Sequence, residues 1–311
     1  MPAVSVENIS MKFGAIQALD NLSFDVNKGE IYGIIGPDGA GKTTLFRILT
    51  TLMLADSGTA FVDGLDVVKD YKQIRNIIGY MPGKFSLYQD MTVEENLEFF
   101  ATVFNTTIQE NYYLIEDIYK QIEPFKNRRA GKLSGGMKQK LALSCALIHK
   151  PTVLFLDEPT TGVDPVSRKE FWEMLKRLKI QGITILVSTP YMDEAKLCDR
   201  IALIQNGKFM KVDTPDNIVA QFTEILWSVK SNKMHQLLKD LRSHFEIKTS
   251  FSFGESYHIT LNETLKKEDL YAYLLNRGHS EIEINPTQAS VEDCFMFLSN
   301  STQINTDIKN K

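Results

Sequence analysis

Gly36-Pro37-Asp38-Gly39-Ala40-Gly41-Lys42-Thr43-Thr44 matches the GxxxxGK[ST] pattern of a phosphate-binding loop. The apolar run Ile31–Ile35 comes directly before it, and apolar residues at helical spacing follow it, which predicts a strand, the loop and a helix in that order. The glycines let backbone N–H groups approach phosphate, and the positive end of the helix dipole adds to the attraction. We therefore predict that residues 36–44 bind ATP, with Lys42 at the β- and γ-phosphates and the Thr43 hydroxyl as a ligand of Mg²⁺.

A second motif, Val153-Leu154-Phe155-Leu156-Asp157-Glu158, is an apolar strand that ends in two acids. An enzyme with a phosphate loop needs a carboxylate to hold Mg²⁺, and Asp157 lies where the strand would emerge from the core. Hydrolysis also needs a group that orients or deprotonates water, and Glu158 is the adjacent candidate. Acids can also simply end a strand, but the combination with the phosphate loop favours catalytic roles for Glu158 and Lys42.

The composition excludes several classes of protein. The chain has 311 residues, of which 43% are hydrophobic, and a formal net charge of −4, so we expect a packed core and no nucleic-acid partner. Cys145, Cys198 and Cys294 form no CxxC pair, so neither a disulfide framework nor a zinc site is expected. The first residues lack a signal-peptide pattern, and no apolar run approaches the roughly 18 residues of a membrane span. We therefore expect a cytoplasmic protein, and work at a membrane would require another polypeptide to span it.

Strand and helix patterns alternate along much of the chain, which predicts an α/β fold with a parallel sheet. Short strands near the N-terminus add an antiparallel β part, and a helical period over about residues 84–148 predicts a helical subdomain. We place the ATP-binding domain at residues 1–221. Residues 222–299 follow the split β-α-β order of a small α+β, ferredoxin-like accessory domain. The polar residues 300–311 are predicted to be a disordered tail.

Leu133-Ser134-Gly135-Gly136-Met137-Lys138-Gln139 lies between the two motifs and resembles the LSGGQ-type signature of ABC ATPases, with Met137 in place of the usual Gln. The resemblance covers about residues 3–220, because the motifs occur in the order and spacing of that family. It implies a P-loop NTPase with a RecA-like parallel sheet core. It also implies a head-to-tail dimer, with a second copy or with another ABC ATPase, in which Ser134, Gly135 and Gly136 complete the partner's ATP site. The Ser134 hydroxyl and the N–H groups at the start of a helix can bind the phosphate groups of that ATP.

Three further segments take their roles from this resemblance. Phe13 lies where the family places an aromatic that stacks on adenine, and a core aromatic on a strand is the alternative. Thr161-Gly162-Val163-Asp164 resembles the D-loop that links the two halves of the dimer, and Asp164 is also a candidate N-cap before Pro165. Residues 84–88 match the groove that receives a helix of a membrane subunit, or else they pack under the helices.

The sequence departs from the family at two switch positions. Gly83 stands where a Gln usually contacts Mg²⁺ and the attacking water, and Pro190 stands where a His usually contacts the γ-phosphate. Neither residue can supply the missing side-chain group. Gln89 and Tyr191 lie nearby in the sequence and are candidates to compensate. Either Glu158 with the phosphate loop and Mg²⁺ suffices for hydrolysis, or the site binds ATP while a partner or second site supplies turnover.

The resemblance favours an ATP-hydrolysing subunit that drives export through separate multi-span permease subunits, on the inner face of the cell membrane. Export rests on the family resemblance alone. Residues 222–299 also resemble the C-terminal extension of some drug-exporter ATPases, where such a domain would help to dimerise or regulate. A packing appendage is the other interpretation of that domain. The alternative functions are an ATP-binding subunit with weak or no hydrolysis, and a non-transport ABC switch ATPase. Switch ATPases often carry two cassettes or long coiled coils, and this chain has one cassette and no heptad run.

Overall fold

The computed structural model describes the backbone of residues 1–309 and the side chains of residues 1–300. The chain divides into two compact units, Met1–Pro215 and a second unit that begins at Asp216. The sequence had placed this boundary at 221/222, after the short helix at Pro215–Ala220. That helix belongs with the second unit because its Ile218 carbonyl accepts a hydrogen bond from the Cys294 thiol, at 3.6 Å.

Two sheets form the first unit. Its strands are β1 (Val4–Phe13), β2 (Ile16–Val26), β3 (Ile31–Ile35), β4 (Ser57–Val62), β5 (Leu65–Asp66), β6 (Ile78–Met81), β7 (Val153–Asp157), β8 (Thr184–Thr189), β9 (Arg200–Gln205) and β10 (Lys208–Asp213). One sheet has the strand order β10-β9-β3-β8-β7-β6 and is parallel except for the β9–β10 hairpin. The other sheet is antiparallel and has the order β2-β1-β4-β5. Every residue of β3, β7 and β8 is buried, as expected of parallel strands covered on both faces. The predicted α/β fold, with a parallel core and an antiparallel part, is confirmed.

The helices of the first unit are α1 (Lys42–Leu49), α2 (Tyr71–Ile77), α3 (Val93–Val103), α4 (Tyr112–Tyr119), α5 (Gly135–Leu147) and α6 (Pro165–Ile180), with short 3₁₀ helices at Glu123–Phe125, Ala130–Lys132 and Met192–Leu197. α3 begins with a capping box, in which the Thr92 hydroxyl accepts from the Glu95 N–H at 3.2 Å and the Glu95 carboxylate accepts from the Thr92 N–H at 2.7 Å. Both α3 and α4 contact α5, so the helix that begins at the signature residues lies at the centre of the helical region.

The second unit is an α+β domain with the ferredoxin-like topology. Its elements are α7 (Pro215–Ala220), β11 (Ile225–Lys230), α8 (Met234–Ser243), β12 (Ile247–Phe253), β13 (Ser256–Leu261), α9 (Lys267–Asn276), β14 (Glu283–Pro286) and α10 (Val291–Lys309). The strands pair antiparallel in the order β12-β13-β11-β14, which interleaves two split β-α-β units. Its core is formed by buried apolar side chains that include Val229, Leu237, Leu241, Ile259, Leu270 and Leu274. The ferredoxin-like prediction is confirmed by this strand order.

α10 extends into the tail that the sequence predicted to be disordered, residues 300–311. Its backbone stays helical to Lys309, and residues 310–311 lie outside the described residues. Val291 and Phe295 at the start of the helix are buried, and each residue added to an existing helix contributes a hydrogen bond at little cost, so polar composition alone does not end it. Over the described part of the chain, none of the helices is both long and apolar enough to cross a membrane.

Candidate active site

The phosphate loop connects β3 to α1. Gly36 donates its N–H to the Thr189 carbonyl at 3.2 Å, and an ideal Cβ on Gly36 would lie 2.2 Å from the Ile204 carbonyl oxygen, so only glycine fits there. Gly41 precedes α1 with a φ of 105°, and no side-chain hydrogen bond caps the helix. The first amides of α1 are therefore available to an anion.

The middle of the loop is open. Apart from Gly39 and its two chain neighbours, no heavy atom of the described residues lies within 4 Å of an ideal Cβ on Gly39, and the Asp38 side chain is exposed. Ala40 closes the turn by donating its N–H to the Pro37 carbonyl at 3.2 Å. Thr43 and Thr44 lie half-buried in the first turn of α1, next to the space that the loop leaves free.

Lys42 is held inside the loop by three oxygens. Its side chain is buried, and its Nζ donates to the carbonyls of Gly36 and Pro37 at 2.8 and 2.9 Å. The same Nζ lies 3.1 Å from Glu158 Oε1. A buried ammonium needs such partners, and a phosphate oxygen can replace them.

The two acids lie at the end of β7, as the sequence motif predicted. Asp157 is buried and Glu158 follows with a φ of 50°, which is unusual for a residue other than glycine. Ser188 on β8 donates its hydroxyl to Asp157 Oδ1 at 2.6 Å and accepts the Glu158 N–H at 3.0 Å. Ser188 was not among the residues predicted from the sequence; the signal that could have found it is its place opposite Asp157 in the register of β7 and β8.

Tyr80 on β6 is a second neighbour of Asp157 that was not predicted. Burial, and to a smaller extent the negative charge of Asp157, raise the pKa of Tyr80 to about 12, while Arg47 opposes the shift. The phenol therefore stays protonated at neutral pH and adds no second negative charge beside Asp157.

Both switch positions lie at the site. An ideal Cβ on Gly83 would lie 3.1 Å from the Asp157 carbonyl oxygen and 3.8 Å from Glu158 Cβ. Pro190 directly follows Thr189, whose carbonyl accepts the Gly36 N–H of the phosphate loop. The chain therefore brings residues 83 and 190 to the acids and the loop, although neither carries a polar side chain.

The two candidates for compensation contact other segments. The side-chain oxygen of Gln89 lies 3.6 Å from an ideal Cβ on Gly131, which places it against the loop before the signature residues. The Tyr191 ring lies under the Arg168 guanidinium, 4.0 Å from its carbon. These contacts give no support to either residue as a substitute for the missing Gln or His.

The signature residues form the exposed start of α5. Ser134 caps the helix by accepting the Met137 N–H at 3.4 Å, and Gly135 and Gly136 form the first turn. An ideal Cβ on Gly136 would lie 3.0 Å from Ser167 Oγ, so the signature loop packs closely against α6. Its amides lie at a helix N-terminus, and the Lys138 ammonium of the motif lies over the Phe85 ring, 5.4 Å from the ring centroid.

Asp164 caps the next helix, α6. Its Oδ1 accepts the N–H groups of Val166 and Ser167 at 3.1 and 3.0 Å, and the bond from Ser167 is the main cause that lowers the pKa of Asp164. The predicted N-cap role is therefore confirmed, whereas the role of Asp164 in a dimer stays a prediction.

Phe13 lies at the tip of the β1–β2 hairpin, where it pairs with Ile16 across a turn in which Gly14 has a φ of 58°. Its side chain is 44% exposed, so the alternative that Phe13 is a core aromatic is wrong. Stacking on adenine stays a prediction.

A groove of about 500 Å³ lies between residues 78–87, α3 and α5. Its lining includes the apolar side chains of Met81, Leu87 and Phe100. Leu87 is buried, whereas Tyr88 is 50% exposed with its ring 4.8 Å from that of Phe99. Leu87 therefore packs under the helices, whereas docking of a membrane subunit at residues 84–88 stays a prediction.

Residues 19–161 match the family described as ABC transporter. The chain is 42% identical over 223 residues to the probable multidrug ABC transporter ATP-binding protein YbhF of Escherichia coli (strain K12), a match that covers 70% of this chain and 38% of that protein. It is 38% identical over 306 residues to the Nod factor export ATP-binding protein I of Burkholderia lata, which covers 96% of this chain and 98% of that protein. The chain therefore spans less than half of YbhF and nearly all of the second relative.

Solved structures resemble the first unit. The ATP-binding subunit of an ABC transporter aligns with a TM-score of 0.65 and 28% identity, over 71% of this chain and 93% of that chain. The dimeric post-hydrolysis state of the ATP-binding cassette MJ0796, bound to ADP and Pi, aligns with a TM-score of 0.62 and 26% identity, over 68% of this chain and 98% of that chain.

Proposed function

The chain belongs to the ATP-binding proteins of ABC transporters, and we propose that it binds and hydrolyses ATP to drive export of a substrate through separate membrane subunits. The observation that carries this proposal is the buried Lys42 inside the phosphate loop, paired with Glu158 beside Asp157. Groups that bind a phosphate and groups that act on water thus lie within one small region. Phosphoryl transfer requires this positioning of charge more than it requires covalent chemistry.

Entry of ATP would rearrange the contacts of Lys42. The γ-phosphate competes with Glu158 and the loop carbonyls for Lys42 Nζ, because a phosphate oxygen carries more charge than a carbonyl. Glu158, whose side chain is 23% exposed in its ion pair, is then free to accept a proton from an attacking water. Lys42 and the amides of α1 stabilise the charge that develops on the phosphoryl oxygens.

The residues present fit Mg²⁺. Thr43 and Asp157 would supply a hydroxyl and a carboxylate, the hard oxygen ligands that Mg²⁺ prefers. Among the described residues, no Lys, Arg or His nitrogen lies within 4.0 Å of the Asp157 carboxylate, and a buried carboxylate without a cation is costly. A bound Mg²⁺ would neutralise charge between the β- and γ-phosphates.

We further propose that two ATPase chains assemble head to tail, either as a homodimer or with another ABC ATPase. Ser134, Gly135 and Gly136 start a helix at the surface, where they can complete the phosphate site of a second chain. The relationship to MJ0796, whose cassette forms a dimer, supports this arrangement.

The groove beside residues 78–87 is the proposed docking site for a multi-span permease subunit. Its apolar lining would contact the membrane partner, and the groove lies next to Gly83, which is close to the two acids. This contact would place the chain on the cytoplasmic side of the cell membrane, bound to its inner face through the permease. Nucleic acid is not a proposed partner.

A second candidate function is ATP binding with slow hydrolysis, with turnover supplied by a partner or a second site. The observation that favours it is the pair of Gly83 and Pro190, which reach the acids and the phosphate loop but offer no side-chain donor or acceptor.

Steady-state phosphate release by the purified chain separates the two functions. Glu158→Gln removes the proposed base, and Glu255→Gln, an exposed acid of the second unit paired with Lys230, is the matched control. Hydrolysis through Glu158 predicts a rate that falls at least about 100-fold in Glu158→Gln and stays unchanged in Glu255→Gln. Equal rates in wild type and Glu158→Gln would reject it in favour of the second function.

The transport role is tested by affinity purification of the tagged chain from detergent-solubilised membranes. Recovery of a multi-span membrane protein is expected, and substitution of a groove residue, Phe100→Glu, should reduce it. Recovery with ribosomes or DNA alone would contradict the transport role.

A further inference from the structure

We infer that Ser188 is a positioning residue of the ATPase site: its hydroxyl fixes the Asp157 carboxylate and the Glu158 backbone relative to each other. This inference rests on the proposed function, in which Asp157 serves Mg²⁺ and Glu158 serves the attacking water.

Ser188 lies between the two halves of the site. In the parallel sheet it pairs with Asp157 of β7 on one side and with Ile34 of β3 on the other, and β3 leads directly into the phosphate loop. Its side chain has no solvent exposure, so its hydroxyl must bond within the protein. Parallel register therefore holds this hydroxyl between the acids and the strand that carries the loop.

The Ser188 hydroxyl acts both as a hydrogen-bond donor and as an acceptor toward the two acids. It donates to Asp157 Oδ1 at 2.6 Å and accepts the Glu158 N–H at 3.0 Å, while the Ser188 carbonyl accepts the same N–H at 3.0 Å. One side chain thus sets the orientation of the Asp157 carboxylate and restrains the peptide that precedes the Glu158 side chain.

Glu158 needs this restraint because its φ of 50° is sparsely populated by residues other than glycine. Such a conformation persists only where the surrounding structure holds it. The shared bond from the Glu158 N–H to both oxygens of Ser188 supplies that hold at the residue proposed as the base.

The switch positions increase the dependence on Ser188. An ideal Cβ on Gly83 would lie 3.1 Å from the Asp157 carbonyl oxygen, but Gly83 has no side chain to bond there. Pro190 has no hydrogen-bond donor. Loss of an outer hydrogen bond to a metal-binding carboxylate lowers metal affinity by about 10- to 100-fold. Removal of the Ser188 hydroxyl should therefore be visible as a loss of the contribution of Mg²⁺ to nucleotide binding.

The test compares Ser188→Ala with a matched control, Thr184→Val, on the same strand. Thr184 is also buried, but its hydroxyl accepts the Gly29 N–H at the far end of β8. The affinity of the purified full chain for β,γ-imido-ATP is measured by calorimetry with Mg²⁺ and with EDTA. We expect the ratio of the two affinities to fall by about 10- to 100-fold in Ser188→Ala and to stay at the wild-type value in Thr184→Val.

A wild-type ratio in folded Ser188→Ala would overturn the inference. Equal losses of affinity with Mg²⁺ and with EDTA would also overturn it, because they would show a structural role only. Should Ser188→Ala not fold, Ser188→Cys places a somewhat larger thiol there that donates only weakly, and a wild-type ratio in that variant has the same meaning. The binding ratio does not depend on turnover, so a wild-type chain that releases no phosphate would reject the proposed hydrolysis and still test Ser188.

Discussion

Substitution of Gly41 by alanine should damage the phosphate loop through two separate effects. Gly41 has a φ of 105°, a region that L residues rarely adopt, and an ideal Cβ there would lie 2.4 Å from the Ala18 carbonyl oxygen. Gly39 in the same loop has a φ of 77° and open space around its Cβ position. Gly39→Ala therefore carries backbone strain alone, whereas Gly41→Ala carries strain and a collision with backbone of β2.

The difference can be estimated from these contacts. Left-handed backbone costs an L residue about 1–2 kcal/mol, and alanine regains about 0.4–1 kcal/mol by restricting the unfolded chain, so Gly39→Ala should cost about 1 kcal/mol. Overpacking against fixed atoms adds about 1–3 kcal/mol, so Gly41→Ala should cost about 2–4 kcal/mol. The loop amides would also move away from the phosphate site, since the collision involves backbone and not the end of a flexible side chain.

The free energy of unfolding of the first unit is measured for both variants by urea unfolding, followed by tryptophan fluorescence. The two tryptophans, Trp172 and Trp227, lie in different units, so a Trp227→Phe background makes fluorescence report on the first unit alone. The free energy of unfolding should fall more in Gly41→Ala than in Gly39→Ala, and nucleotide affinity should fall with it. Equal losses in the two variants would refute the argument from the Ala18 contact.

Two further outcomes are expected. The double variant Gly83→Gln with Pro190→His should raise phosphate release at least about 10-fold, because both positions lie at the acids and the loop; an unchanged rate would contradict the view that side chains at 83 and 190 limit turnover. In the second unit, burial would raise the pKa of Asp240, but hydrogen bonds from His279 and Gln236 outweigh it and lower that pKa. The stability from this carboxylate is therefore present above about pH 4 and is lost as pH falls through the lowered pKa. Asp240→Asn should therefore destabilise the unit more at pH 7 than at pH 3, as followed by Trp227 fluorescence.

The parts of the fold that the sequence predicted are those in which local pattern and tertiary environment agree. Strands β3 and β7 are buried on both faces, so they appear as continuous apolar runs, and each ends at a functional motif. The N-cap at Asp164 was visible because Asp164 and the N–H groups of Val166 and Ser167 lie within three residues of one another. The ferredoxin-like order of the second unit followed from the succession of its elements.

What the sequence missed depends on contacts between distant segments. Ser188 meets Asp157 only because β7 and β8 are parallel neighbours in one register, and no local pattern states that register. Tyr80 lies on β6, on the other side of β7, where the negative charge of Asp157 helps to raise its pKa. The boundary before α7 depended on a contact between Ile218 and Cys294, far apart in the chain.

We expect nucleotide binding and turnover to depend on different atoms of β8, which would make the two separable. The Thr189 carbonyl holds Gly36 of the phosphate loop through the backbone, and proline at 190 favours the extended conformation that Thr189 needs for this bond. In the proposed site, proline in place of histidine at 190 would therefore leave the γ-phosphate without that side chain and would not disturb the strand that supports the loop. Ser188, one residue earlier, keeps the acids in place by its hydroxyl. Substitutions at 190 should consequently change the rate of phosphate release more than the affinity for nucleotide, whereas substitutions at 188 should change the response of binding to Mg²⁺.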